Sequence, residues 1–323
     1  MNNLGHYKQM PPTFQKLQNL QSDLEKEGYS LDSLGIMLDT EDYSYYVTPC
    51  DVITFARTGM DGIHFGLLTD FGTVTNLEDA YVVYISPMDF GSAVFLAARN
   101  LKEFTDLLFT MKDTMEIANF LSIEMNEKDK DEDYEEDEED EEDECDDNEY
   151  DDNEYDDDED EDDYEYEEDE ELLIEREYVL GKLKESMECT IIEDVQAYYK
   201  GLFDERKKQT VIHTHDGVGV IPMSGQPINM EKYELYEDMV IDIDDIRTYF
   251  QIAPIENKLA FIRDAQNLGI ILDDKKVREF ILTELKKLGF KIEANRLQSS
   301  NENDSPSYVT LGVNHAFGYY ESD

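Results

Sequence analysis

The sequence predicts an α+β protein, with an antiparallel meander sheet packed by helices and then a helix-rich C-terminal module containing a β-hairpin. Three observations carry this expectation. Between Tyr45 and Ala98, short β-branched and aromatic runs alternate with Gly, Asp, Asn and Pro, the pattern of short strands and tight connections. On both sides of that region apolar residues recur at helical spacing. Between the halves, residues 131–171 hold 33 carboxylates in 41 positions and no Lys or Arg, so no hydrophobic period survives there.

The elements follow in order. Phe14, Leu17, Leu20 and Leu24 share a helical stripe that Gly28 terminates. Tyr45–Thr48, Val52–Ala56, Ile63–Leu68 and Tyr81–Ser86 read as strands, and Val94–Ala98 adds another. In the third run His64 falls on the face opposite Ile63, Phe65 and Leu67. Asn100 and Glu103 have the spacing of a capping box, opening a helix that carries Leu101, Phe104, Leu107 and Leu108. Beyond the acidic run, Val179, Leu180, Leu183 and Met187 mark one helix and residues 191–203 a second. Asp216-Gly217 between two β-rich runs is a hairpin signal. Pro254 opens a helix that Gly269 closes, and Asp273 is the expected cap of the next, whose stripe Val277, Phe280, Ile281, Leu285 and Leu288 ends at Gly289. Residues 298–306 are polar and expected to be loose, and Tyr308–Tyr320 is expected to return as a short strand.

Charge narrows the functional classes. The chain has 323 residues, 80 Asp plus Glu and 27 Lys plus Arg, for a formal charge of −53. Outside the acidic run a charge of −20 remains, and neither flanking half is basic. Nucleic acid and anionic membranes are therefore disfavoured, because both need a cationic surface. A basic protein is the partner this charge attracts. No signal-peptide pattern or long apolar run occurs, and three scattered cysteines, Cys50, Cys145 and Cys189, fit a reduced cytoplasmic setting. No cofactor is expected. The organisation is read as an α+β domain (1–125), an acidic disordered insertion (126–171), a helix-rich module (172–297) and a flexible tail (298–323). Whether the halves around the insertion share one core is open at this point.

The most distinctive text runs from Phe55 to Gly66, Phe-Ala-Arg-Thr-Gly-Met-Asp-Gly-Ile-His-Phe-Gly, and resumes at Ala97-Ala-Arg-Asn-Leu-Lys-Glu-Phe104. Over residues 43–110 it resembles the SUKH superfamily, bacterial α+β immunity proteins in which a glycine-rich hairpin precedes an apolar strand and a Glu-Phe-containing helix. The chain lacks Trp, and residues 11–42 lack the family's early Leu-Pro and Asn-Gly-Gly signature. The resemblance implies a non-enzymatic protein that neutralises a toxin domain, often a nuclease. Arg57, Asp61, His64 and Arg99 are the candidate partner-binding residues, set against their plainer role as turn and surface residues of the meander.

Two alternatives stand beside this reading. His213, His215 and Asp216 form the one imidazole cluster, and alternate strand positions would place both rings on one face beside a carboxylate, as in a metal-dependent hydrolase. An acidic chaperone-like binder of basic proteins is the other. Walker-type phosphate loops, Gly-x-Ser-x-Gly turns and Cys-x-x-Cys pairs are absent from the sequence.

Overall fold

The computed structural model describes Leu4 and residues 7–38, 44–89, 93–122, 170–225, 228–236 and 239–303. Its five-stranded sheet is an antiparallel meander in the order β1 (Met37–Leu38), β2 (Val52–Arg57), β3 (His64–Leu68), β4 (Val82–Ile85), β5 (Val94–Ala98). Helix α1 (Pro12–Glu27) lays Phe14, Leu17, Leu20 and Leu24 on it and stops at Gly28, whose φ of 88° few other residues tolerate. Helix α2 (Leu101–Met111) begins with Asn100 Oδ1 accepting from the Glu103 amide at 2.9 Å, as the capping-box spacing requires. Phe14, Phe55, Phe104 and Phe65 then form a chain of ring contacts, edge to face at Phe14–Phe55 and Phe55–Phe104 and tilted at Phe104–Phe65, with centroid separations of 4.9–6.0 Å, joining both helices to β2 and β3.

The acidic run interrupts this core rather than dividing the chain. Helix α3 (114–122, as far as it is described) leads out, and α4 (Glu170–Met187) leads back with Val179, Leu183 and Met187 buried in the same apolar cluster as α1, α2 and the sheet. Arg176 on α4 donates to the Ser33 carbonyl (3.2 Å) and to Asp113 (3.0 Å), so polar contacts also bridge the run. Helix α5 (Val195–Gln209), capped by Asp194, adds Tyr199 and Leu202. The boundary expected at residue 172 is thus not a boundary between cores. Loop-closure cost grows only logarithmically with length, so a long excursion between α3 and α4 is compatible with one shared core. Residues 126–169 themselves lie outside the described residues, as does the expected strand Tyr308–Tyr320.

A second core gathers α6 (Ile243–Ile252), α7 (Ile255–Asn267), α8 (Ile270–Asp273), α9 (Lys275–Leu288) and α10 (Lys291–Asn303). At its centre, α7 is buried from Glu256 through Gln266, apart from the half-buried Lys258. Several local expectations change here. Asp274, not Asp273, caps α9, accepting from the amides of Lys276 and Val277. Residues 298–303 continue α10 because Ala294 and Leu297 anchor that helix in the core. The expected hairpin at Asp216-Gly217 shrinks to a single bridge, Ile212 to Val220, because Arg206 takes the Val218 and Gly219 carbonyls. Tyr45–Thr48 forms a turn instead of a strand, with the Tyr46 and Thr48 carbonyls accepting from Gln266 of α7.

Proteolytic cleavage within residues 123–169 is expected to leave two fragments that co-elute on size exclusion under native conditions. Leu183→Ala, distal to the run, is expected to cost the whole first core about 2–5 kcal/mol in denaturant unfolding. Separately eluting folded fragments would contradict the shared core.

Candidate partner-binding site and the junction behind it

The β2–β3 connection is a turn with a fixed backbone. Gly59 (φ 83°), Asp61 (φ 49°) and Gly62 (φ 71°) all take left-handed conformations. A Cβ on Gly59 would meet the Met37 methyl at 2.9 Å, and one on Gly62 the Tyr45 ring at 2.6 Å. The Ile63 amide donates to the Met60 carbonyl (2.9 Å) and the Thr58 amide to the Ile63 carbonyl (3.0 Å). This arrangement presents Arg57, Asp61 and Met60 to solvent; Met60 is 51% exposed, unusual for an apolar side chain at the apex of an ordered turn.

His64 does not belong to that surface. It is buried, with Nδ1 2.7 Å from the Gly62 carbonyl and Nε2 2.9 Å from Thr48 Oγ1, and its ring stacks on Tyr45. A carbonyl only accepts, so Nδ1 carries the proton and Nε2 accepts from the Thr48 hydroxyl, which in turn accepts from the Tyr45 amide. Burial lowers its pKa to about 4. The expectation that alternation placed His64 on an open face fails because the loop at 44–51 covers that face of β3.

Arg99 is displaced from the turn in another way. The register pairs Arg57, His64, Ile85 and Val94 at one end of the sheet, and Val82 with Ala98 at the other. Arg99 follows Ala98 and therefore lies at the far end. There its guanidinium meets Glu205 (2.7 Å) and Glu103 (3.3 Å) and lies over the Tyr198 ring, tying α2 to α5. Of the four candidates, only Arg57 and Asp61 share one exposed surface.

The histidine cluster is also dispersed. Asp216 is buried, its Oδ2 3.0 Å from Arg263 and its Oδ1 accepting from Thr214 and the Val218 amide. The His215 ring meets the Leu235 carbonyl at 2.9 Å, while His213 is exposed beside a shallow groove. Among the described residues, no three His, Cys, Asp or Glu side chains are grouped to hold a metal ion. The hydrolase geometry expected of His213, His215 and Asp216 is not formed, because the turn and Arg263 use the carboxylate.

What sequence reading missed is a buried ionic junction. Asp51, before β2, meets Arg263 of α7 at 2.7 Å, and Arg263 also holds Asp216. Asp70, after β3, takes a bidentate pair from Arg206 of α5 at 2.6 and 2.9 Å. Each of these five side chains is at most 5% exposed. Arg263 lies over the Phe71 ring and Arg206 over Tyr81. Desolvation pushes the Asp51 pKa up to about 6, opposed by Arg263 and reinforced by Asp70 and Asp216. Arg206 and Asp216 also line the shallow groove beside His213, but their charged groups are engaged within the cluster, Arg206 by Asp70 and Asp216 by Arg263. No run or spacing announces it, since its members lie far apart in sequence.

No family model matches the chain, and no characterised protein matches it in sequence. Among the described residues, no helix is long and apolar enough to cross a membrane.

Burial also raises both described thiols, Cys50 well above its ordinary value and Cys189 to about 11, which leaves neither as an activated nucleophile.

His64 and Asp51 are expected to shape acid stability in opposite directions. Between about pH 6.5 and 4 the unfolded chain protonates its histidine while native His64 stays neutral, so acidification destabilises the fold. Native Asp51 takes up a proton near pH 6, before its unfolded counterpart, so acidification from about pH 7 to 4 favours the fold. Denaturant unfolding of Asp51→Asn is expected to lose more stability than wild type between pH 7 and 5, and His64→Gln less. The opposite ranking would contradict both assignments. Arg263→Ala leaves two buried carboxylates without their cation and is expected to cost about 3–5 kcal/mol at pH 7.

Proposed function

We propose that this chain is a non-enzymatic protein-binding module of the immunity type that the SUKH resemblance implies, acting by capture of a basic toxin or nuclease domain. The observation that carries the reading is the β2–β3 turn, where an exposed Met60 stands between Arg57 and Asp61 on a backbone with little freedom to collapse. A large apolar side chain held out by an ordered turn loses little entropy on docking and gives a desolvated anchor, while flanking charges fix orientation. The glycines that shape this turn are the same residues that carry the family resemblance.

The acidic run supplies a different contribution. Its 33 carboxylates attract a cationic partner from a distance and raise the encounter rate, without determining which basic protein stays bound. Specificity belongs to the folded surface, and speed to the run. Arg99 and His64 serve the scaffold, Arg99 by joining α2 to α5 and His64 by pinning the turn from within. An acidic chaperone-like activity would instead use the run alone and discriminate little.

Full-length protein immobilised and exposed to lysate of its own source is expected to retain one basic polypeptide in stoichiometric amount. Met60→Asp is expected to weaken retention about tenfold or more, whereas raising salt from about 0.05 to 0.5 M slows association. Retention of many unrelated basic proteins, indifferent to Met60→Asp, would replace this reading with the chaperone-like one.

A further inference from the structure

A cleft of about 530 Å³ opens at the junction between the two cores, and none of the five side chains of the ionic cluster lines it. One wall comes from the first core, with Val47 and Ala93; the other comes from Met239, Ile241, Leu268 and Ile270 of the second. Apolar side chains from both cores thus face each other across a cleft whose surface is otherwise polar, and at the rim Val240 is 95% exposed. The charged residues lining it are Asp89, Asp273 and Asp274, with no Lys, Arg or His among the described residues there. Asp274 is occupied in capping α9, while Asp89 and Asp273 are exposed at the rim.

A second observation is independent of charge. Asn267, in the cleft wall at the end of α7, has both its Nδ2 and its Oδ1 buried with no hydrogen-bonding partner among the described residues. An unsatisfied buried carboxamide is costly, and native structures leave few such groups unexplained. A carboxamide offers an NH2 donor group and a carbonyl acceptor side by side, the complement of the C=O and N–H of a peptide group in an extended chain. Asn267 as a whole is only partly buried where it lines the cleft, so rotation of its side chain would offer both atoms to a peptide lying there.

The geometry points to this cleft as a site for an extended polypeptide segment in which cationic residues alternate with apolar ones. The apolar residues enter between the cores, the cations face Asp89 and Asp273, and Asn267 pairs with the segment's backbone. It deepens the binding function proposed above and rests on it, placing a second grip on the basic partner apart from the β2–β3 turn. Because the segment touches both cores, its binding also stabilises their junction.

The test uses full-length protein and two nonapeptides carrying a photo-cross-linker, one alternating Lys with Val and the other Glu with Val. Salt of about 0.3 M screens diffuse attraction to the acidic run. The Lys peptide is expected to cross-link to residues 239–241 or 268–274 and to raise the unfolding temperature. Asp89→Lys with Asp273→Lys, both at exposed positions, is expected to weaken it about tenfold or more and to admit the Glu peptide instead. Asn267→Ala is expected to weaken binding while leaving the free protein at least as stable, since it removes an unpaired buried amide. Cross-links confined to residues 131–171 or to the β2–β3 turn, or affinities indifferent to the rim reversal, would overturn the site. If the lysate partner is retained through Met60 while the cleft variants retain it equally, this inference fails and the binding function stands. If no partner is retained but the peptide seats in the cleft, the failure falls on the binding function.

Discussion

The two cores are held by charge taken out of water. Three carboxylates, Asp51, Asp70 and Asp216, meet two guanidiniums, Arg206 and Arg263, in a space from which solvent is excluded. Such a cluster is poor evidence for stability in itself, because desolvation offsets much of the ionic attraction. Its effect is on geometry. Each guanidinium is planar and directional: Arg206 engages Asp70 and the Val218 and Gly219 carbonyls, and Arg263 uses its two terminal nitrogens on Asp51 and Asp216 while its Nε has no partner among the described residues. These bonds form together in one relative placement of the sheet, α5, α7 and the turn at 214–217. Apolar packing alone would tolerate sliding between the cores; Arg263, shared between Asp51 and Asp216, does not.

This constraint also explains where the sequence was legible. The meander, its helices and most helix ends could be read because each rests on local chemistry: an apolar stripe, a capping side chain, a glycine with positive φ. Where the reading failed, a distant partner had overridden local preference. Tyr45–Thr48 has strand composition, but Gln266 takes its carbonyls and turns it toward α7. Asp216-Gly217 has hairpin chemistry, but Arg206 and Arg263 recruit the surrounding carbonyls and carboxylate. His64 alternates correctly, yet the face it occupies is covered by a loop whose path no periodicity reveals. For the candidate site, the glycine-rich text located the turn correctly but could not separate Arg57 and Asp61 at one end of the sheet from Arg99 at the other. That distinction depends on strand register, which emerges only from pairing.

The acidic run has a place in this architecture that its composition does not announce. It leaves and returns through helices that pack into one core, α3 and α4, and Arg176 fastens the return to Ser33 and Asp113. A long charged excursion is tolerated there because the closure it requires is provided by the folded core on both sides.

One continuous set of contacts connects the exposed turn to the junction. The Gly62 carbonyl accepts from His64, the far nitrogen of His64 accepts from the Thr48 hydroxyl, and the Thr48 carbonyl accepts from Gln266 on α7, the residue next to Asn267 in the cleft wall. Every link is buried or nearly so, and each has a fixed donor direction once Nδ1 of His64 is protonated. The turn and the cleft are consequently set at a constant separation by hydrogen bonds rather than by loosely packed loop. A partner that engages both gains from that fixed spacing, because the entropy of aligning two surfaces has already been spent in folding. Keeping His64 neutral is what preserves the chain of contacts: a charged imidazole would have two donors, and Thr48 Oγ1 would have to accept from Nε2 as well as from the Tyr45 amide, redirecting its own proton into a site with no assigned acceptor. Burial of this one histidine therefore links the chemistry of the turn to the placement of α7, and through Arg263 to the ionic junction on which both cores depend.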